Sequence, residues 1–140
     1  MSQKTIQEIL TETAEFYNSS NRAIDDEGHC SYFTIKNDKI LMCAVGRCFL
    51  HPKNFKNDTS STIDSLMEGG EWDDFQLNFK PEYRGYNWMF WSKLQRFHDI
   101  TTHWDENGLS EEGKKEYEAL MNEFNSNPDK FKQQTTKFLP

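Results

Sequence analysis

The sequence predicts a small, helix-dominated α+β domain: one antiparallel β-hairpin packed among three or four helices. Three observations lead there. Apolar residues recur at helical spacing in three separate stretches, near residues 5–17, 87–103 and 111–124. Two β-rich runs, "CSYFTI" and "KILMCAV", flank a short polar turn. The length of 140 residues fits one domain, with 126–140 as a loosely packed tail.

The first helix is marked by Ile6, Ile9, Leu10, Thr13 and Tyr17 along one stripe, with Thr5 and Glu8 at capping-box spacing. The stretch 18–29, "NSSNRAIDDEGH", is a polar connector. A two-residue turn at Asn37-Asp38 then opposes Phe33 to Met42 and Ile35 to Ile40. Alternation puts Cys30, Tyr32, Leu41, Cys43 and Val45 on one face, and Phe33, Ile35, Ile40 and Met42 on the other. Both faces are apolar, so helices are expected to cover both. Residues 51–61 read as loop, 62–67 as a short helix and 68–87 as a linker anchored by its aromatics. The second long helix spans 87–103, with Phe90, Trp91, Leu94, Phe97 and Thr101 as its core stripe. The third spans 111–124, with Tyr117, Leu120, Met121 and Phe124 facing inward, and Asn127-Pro128 opens a final short helix.

Composition narrows the function. Aromatic residues make up 14% of the chain, which supplies core material despite a mean hydropathy of −0.91. No apolar run approaches the roughly 20 residues needed to span a bilayer, and no signal peptide is evident. Three cysteines form no disulfide framework, consistent with a reducing, cytoplasmic setting. The net charge of −7 argues against a long nucleic acid as partner. Basic residues are nonetheless concentrated, with residues 30–67 at +2 and 83–98 at +3.

Two constellations carry the chemistry. In "KILMCAVGRCFLHP" (39–52), Cys43, Cys48 and His51 follow Cys30 with the ligand types of a metal site, yet without a C-x2-C pair. No metal or other cofactor is therefore expected. The alternative for Cys43 or Cys30 is a thiol nucleophile, with His98 as base and Asp99 or Gln95 orienting it. The alternative to both is buried thiols packing the hairpin. In the second constellation, Gln95, His98 and Asp99 lie beside the core stripe of the 87–103 helix. Arg84, Lys93 and Arg96 flank them, and Arg47 follows the return strand. If these cations converge with Tyr32 and neighbouring rings, they suit a small, nucleotide-like anion. If they pair instead with carboxylates such as Asp73, Asp74 and Asp99, they are structural.

The segments "GHCSYFTIKNDKILMCAVGRCF" and "FWSKLQRFHD" resemble a family of small uncharacterised proteins encoded by tailed phages and prophages. The shared pattern is a Cys-x-Tyr strand, a Cys-Ala-Val-Gly return strand and a downstream Leu-Gln-x-x-His-Asp helix. Here these are Cys30 and Tyr32, then Cys43 to Gly46, then Leu94, Gln95, His98 and Asp99. An aliphatic residue usually stands where this chain has Cys48. The resemblance covers residues 28–50 and 86–100. It implies a phage origin and a cytoplasmic accessory role in host takeover or anti-defence, without an established activity. The leading expectation is binding of a host protein or a small anionic ligand. The alternative is a thiol-dependent hydrolase or transferase.

Overall fold

The structure, a computed structural model, describes residues 3–22, 32–36, 38–55 and 75–132. Cys30, Asn37, the expected helix at 62–67, Asp73, Asp74 and most of the tail lie outside these residues.

The architecture is α+β and helix-dominated. Helix α1 spans Ile6–Phe16 and is capped as its sequence predicts. The Thr5 hydroxyl accepts the Glu8 N–H while the Glu8 carboxylate accepts the Thr5 N–H. Its stripe of Ile6, Ile9, Leu10 and Thr13 is buried, and Tyr17 continues it. Strands β1 (Phe33–Lys36) and β2 (Lys39–Met42) pair antiparallel in the expected register, Phe33 with Met42 and Ile35 with Ile40. Asp38 takes the left-handed conformation (φ 65°) that tight hairpin turns require.

One expectation for the hairpin is corrected. Among the described residues, helices do not cover both of its faces: Ile35 is 50% and Ile40 58% exposed, although Phe33 on the same face is buried. The four-residue strands carry this face beyond the core before the chain reverses. The return strand also stops at Met42, earlier than the alternation suggests. Residues 43–45 turn into a short 3-10 segment, Gly46–Cys48. The turn is held by the Arg47 N–H on the Cys43 carbonyl and the Cys48 N–H on the Val45 carbonyl.

A second 3-10 turn, Pro52–Phe55, follows in a segment read as loop. The described part of the 68–87 linker is more ordered than a linker. It makes 3-10 turns at Gln76–Asn78 and Pro81–Tyr83. Phe79 bridges antiparallel to Phe49, reinforced by the Leu50 N–H on the Asn78 carbonyl. Its aromatics are anchors as expected: Phe75, Phe79, Tyr83 and Tyr86 are buried, and Phe79 stacks on Trp91 at 4.3 Å.

Helix α2 runs Trp88–Asp99, with Asn87 Oδ1 accepting the Phe90 N–H. It ends four residues before its predicted limit, so Thr101 leaves the stripe and is exposed. A 3-10 turn, Thr101–His103, leads into a second hairpin that the sequence reading missed. Its strands are β3 (Trp104–Asp105) and β4 (Gly108–Leu109). Helix α3 spans Glu111–Ser126, capped by Ser110, with Glu111 and Glu112 favourably placed in the first turn. A 3-10 turn, Pro128–Phe131, stands where a short helix was expected, and it buries Phe131 against Phe124. One cluster of buried residues joins α1, the hairpin base, the 75–86 segment, α2 and α3.

Candidate functional site

The two constellations meet where the Cys43–Gly46 turn abuts the last turn of α2. Gln95 and Asp99 lie four apart on α2, so they share a face. Gln95 Nε2 donates to Asp99 Oδ1 at 2.7 Å while its Oε1 accepts the Val45 N–H at 3.3 Å. The glutamine therefore ties the hairpin's return turn to the helix. His98 Nδ1 lies 2.8 Å from the same Asp99 oxygen. A carboxylate only accepts, so Nδ1 carries the proton and Nε2 presents its lone pair.

That lone pair has no partner among the described residues. His98 is fully buried, its ring edge-on to Tyr17 with centroids 4.6 Å apart. Burial holds the imidazole below its ordinary value against the opposing pull of Asp99, so the pair is a hydrogen bond of neutral histidine rather than an ion pair. An Asp-oriented imidazole with a free Nε2 is the layout of a general base. The nucleophile is not in place, however. The Cys43 sulfur is no partner of Nε2; it accepts the Gly46 N–H at 3.3 Å instead. Burial, with Asp99 nearby, pushes the Cys43 thiol up to about 12. Cys48 is also buried, donates to the Ala44 carbonyl and is pushed up to about 12. Both thiols are free and unreactive by these criteria. Among the described residues, no three histidines, cysteines or carboxylates gather as a metal site.

Three of the four cations are already engaged within the chain. Both terminal nitrogens of Arg47 reach the Glu12 carboxylate at 3.3 Å, which also takes the Tyr83 hydroxyl at 2.7 Å and an ion pair from Lys4. Arg84 is spent on backbone, with Nε on the Phe79 carbonyl and Nη2 on the Leu77 carbonyl. Lys93 pairs with Glu123 at 3.4 Å, and Arg96 is exposed. Tyr32 is a core ring packed on Phe49 and Phe75. In this acidic chain, carboxylates and carbonyls take up Arg47, Arg84 and Lys93, while Arg96 stays exposed.

Three contributors escaped the sequence reading. Arg22, from the polar connector, donates to the His98 and Asp99 carbonyls at 3.0 and 3.2 Å and to Thr101. It caps the C-terminus of α2, where a cation satisfies orphan carbonyls and complements the helix dipole. Trp104 Nε1 adds a third donor there, on the His98 carbonyl. Glu12 is the hub for Lys4, Arg47 and Tyr83. No local signal marks either charged residue, because their partners are distant in sequence.

Comparison with protein-family models, curated proteins and solved structures finds no match.

Proposed function

We propose that this chain is a small phage-type accessory protein that acts in the host cytoplasm by binding a host protein, in the service of countering host defence. The resemblance of its hairpin and α2 motif to phage and prophage proteins supports the host-cell setting. The absence of any described helix long and apolar enough to cross a membrane is compatible with it.

The single observation that carries the binding reading is the burial of Cys43 and His98, with the half-buried Gln95 and Asp99 engaged in hydrogen bonds within the chain. A thiol near 12 leaves only about one molecule in 10⁵ as thiolate at pH 7. The candidate base points its lone pair into the interior. Anion binding fares no better, since Arg47, Arg84 and Lys93 already have partners. What remains available to a partner is the exposed surface.

Calorimetric titration with mono-, di- and cyclic nucleotides, beside quantitative cross-linking in host extract, tests this reading. It expects no heat from any nucleotide at millimolar concentration and one host protein cross-linked in stoichiometric amount. Nucleotide binding, or Cys43-dependent hydrolysis of an activated ester, overturns it.

A further inference from the structure

We propose that Asn107 is a site of spontaneous covalent modification, deamidating by attack of the Gly108 backbone nitrogen. The isoaspartate formed there releases the 18–22 connector from the β3–β4 hairpin. This goes beyond the binding reading and does not depend on it.

Asn107 is the one asparagine of the sequence that precedes glycine. It stands exposed in the turn Glu106-Asn107, closed by the pairing of Asp105 with Gly108. Its backbone N–H is held by the Asp105 carboxylate at 2.8 Å, but its side-chain amide makes no hydrogen bond among the described residues. Asn21, Asn78 and Asn87, by contrast, donate their amides to backbone carbonyls, and each precedes a bulky residue. Gly108 has φ 130°, a conformation that favours glycine, and with no Cβ it leaves its nitrogen unshielded. Attack requires the closing pair to open. Strands of two residues each open at small cost, so the folded chain samples the reactive geometry.

The chemistry needs only water. The Gly108 nitrogen, its proton passed to solvent, forms a bond to Asn107 Cγ, and the Cγ–Nδ2 bond breaks to release ammonia. Both groups belong to one turn, so this step is intramolecular. Water then opens the resulting succinimide. Cleavage of the Cγ–N bond gives aspartate, while cleavage at the main-chain carbonyl routes the chain through Cγ as isoaspartate. No oxidant or reductant is involved. Isoaspartate lengthens the turn by a methylene carbon, which so tight a closure cannot hold. The Asp105 carbonyl at that closure accepts the Ser19 N–H at 2.9 Å. The same connector carries Arg22, which caps the end of α2 through the His98 and Asp99 carbonyls. Modification of Asn107 therefore reaches the end of α2 through Ser19.

The test incubates the full chain at physiological temperature from pH 6 to 9, and locates the product by peptide mass spectrometry with enzymatic methylation of isoaspartate. Isoaspartate and aspartate are expected at position 107 ahead of any other asparagine, and faster as pH rises, because the attacking nitrogen must lose its proton. Asn107→Gln should lose the modification, since its longer side chain closes a larger ring slowly. In the isoaspartyl fraction the Ser19 amide should lose its protection from hydrogen exchange, and Tm should fall. Freshly purified Asn107→Asp carries the charge without the longer turn and should keep Ser19 protected. A thermal melt checks that both variants fold. Asn107 left intact by an incubation that deamidates it in the urea-unfolded chain overturns the site, as does earlier modification of another asparagine. Ser19 protection retained in the isoaspartyl fraction, or lost in Asn107→Asp, overturns the release of the connector.

Discussion

Replacing Gly46 with alanine tests the packing that closes the Cys43–Gly46 turn. The added methyl carbon falls 2.0 Å from the Tyr32 carbonyl oxygen, 2.8 Å from its carbon and 3.0 Å from its Cα. Carbon–oxygen contacts are ordinarily about 3.3 Å or longer, so the two segments must part by more than about 1 Å. Neither side yields cheaply. Tyr32 leads directly into β1 and its ring is packed on Phe49 and Phe75. The Gly46 N–H is held by Cys43 and its carbonyl accepts the Phe49 N–H. Overpacking of this kind costs about 1–3 kcal/mol, and an obstruction made of backbone belongs at the upper end. Alanine also restricts the unfolded chain, which offsets roughly 0.4–1 kcal/mol. The expected net loss is about 2 kcal/mol, or a fall in Tm of roughly 6–10 °C. Urea unfolding followed by tryptophan fluorescence measures it, since Trp91 and Trp104 are both buried. A Gly46→Ala protein within about 0.5 kcal/mol of the wild type would refute the close approach of this turn to Tyr32.

Three further outcomes are expected. Glu12→Gln removes the carboxylate shared by Lys4, Arg47 and Tyr83, and should cost about 1–3 kcal/mol in urea melts, mostly by leaving the largely buried Arg47 undercompensated. Cys43→Ser places a smaller, more polar hydroxyl where the fully buried thiol accepts the Gly46 N–H at 3.3 Å, and should cost about 1–3 kcal/mol. Stability should fall with acidification in two stages, seen in melts at stepped pH. Burial keeps folded His98 below its ordinary 6.5, so the unfolded chain takes up the proton first, and stability declines as pH drops from about 6.5 toward the folded value. Burial opposes ionisation of Glu12, but hydrogen bonds from Lys4 and Tyr83 hold it below its ordinary 4.5. Its contribution is present above 4.5 and is lost as pH falls through the folded value. His98→Gln should erase the first stage only, and Glu12→Gln the second only.

The elements were legible wherever local pattern and final environment agree. The capping box at Thr5 and Glu8, the register of Phe33 with Met42, and the stripe from Phe90 to Phe97 follow from spacing alone. Of the two orienters the spacing of Gln95, His98 and Asp99 offered for the imidazole, Asp99 is the one that bonds it, and Gln95 bonds Asp99 instead. What they do was not legible. Whether an oriented imidazole serves catalysis or packing depends on what seals its far side. Here Tyr17 packs on the ring from another helix, and Arg22 reaches the end of α2 from 76 residues away. The same limit hid the fate of the basic residues. Arg47 meets Glu12 across 35 residues, and Tyr83 meets it across 71. The β3–β4 hairpin was missed although Asn107-Gly108 is a turn signal, because its two-residue strands carry almost no periodicity. The exposed Ile35–Ile40 pair was misread for the opposite reason: their apolar character implied burial that the short strands do not provide.

The central claim is that Cys43 and His98 are interior packing, with Asp99 orienting the imidazole, and that function resides on the surface. Alkylation kinetics of Cys43, followed by peptide mass spectrometry from pH 6 to 9 with and without urea, test it most directly. The account predicts that Cys43 in the native protein reacts only through unfolding. That gives at least about 10³-fold protection relative to the unfolded chain, relieved in step with urea and unchanged in character by His98→Gln. Rapid alkylation of the folded protein near neutral pH, titrating with His98 and slowed by His98→Gln, would contradict it and restore the thiol enzyme as the better reading.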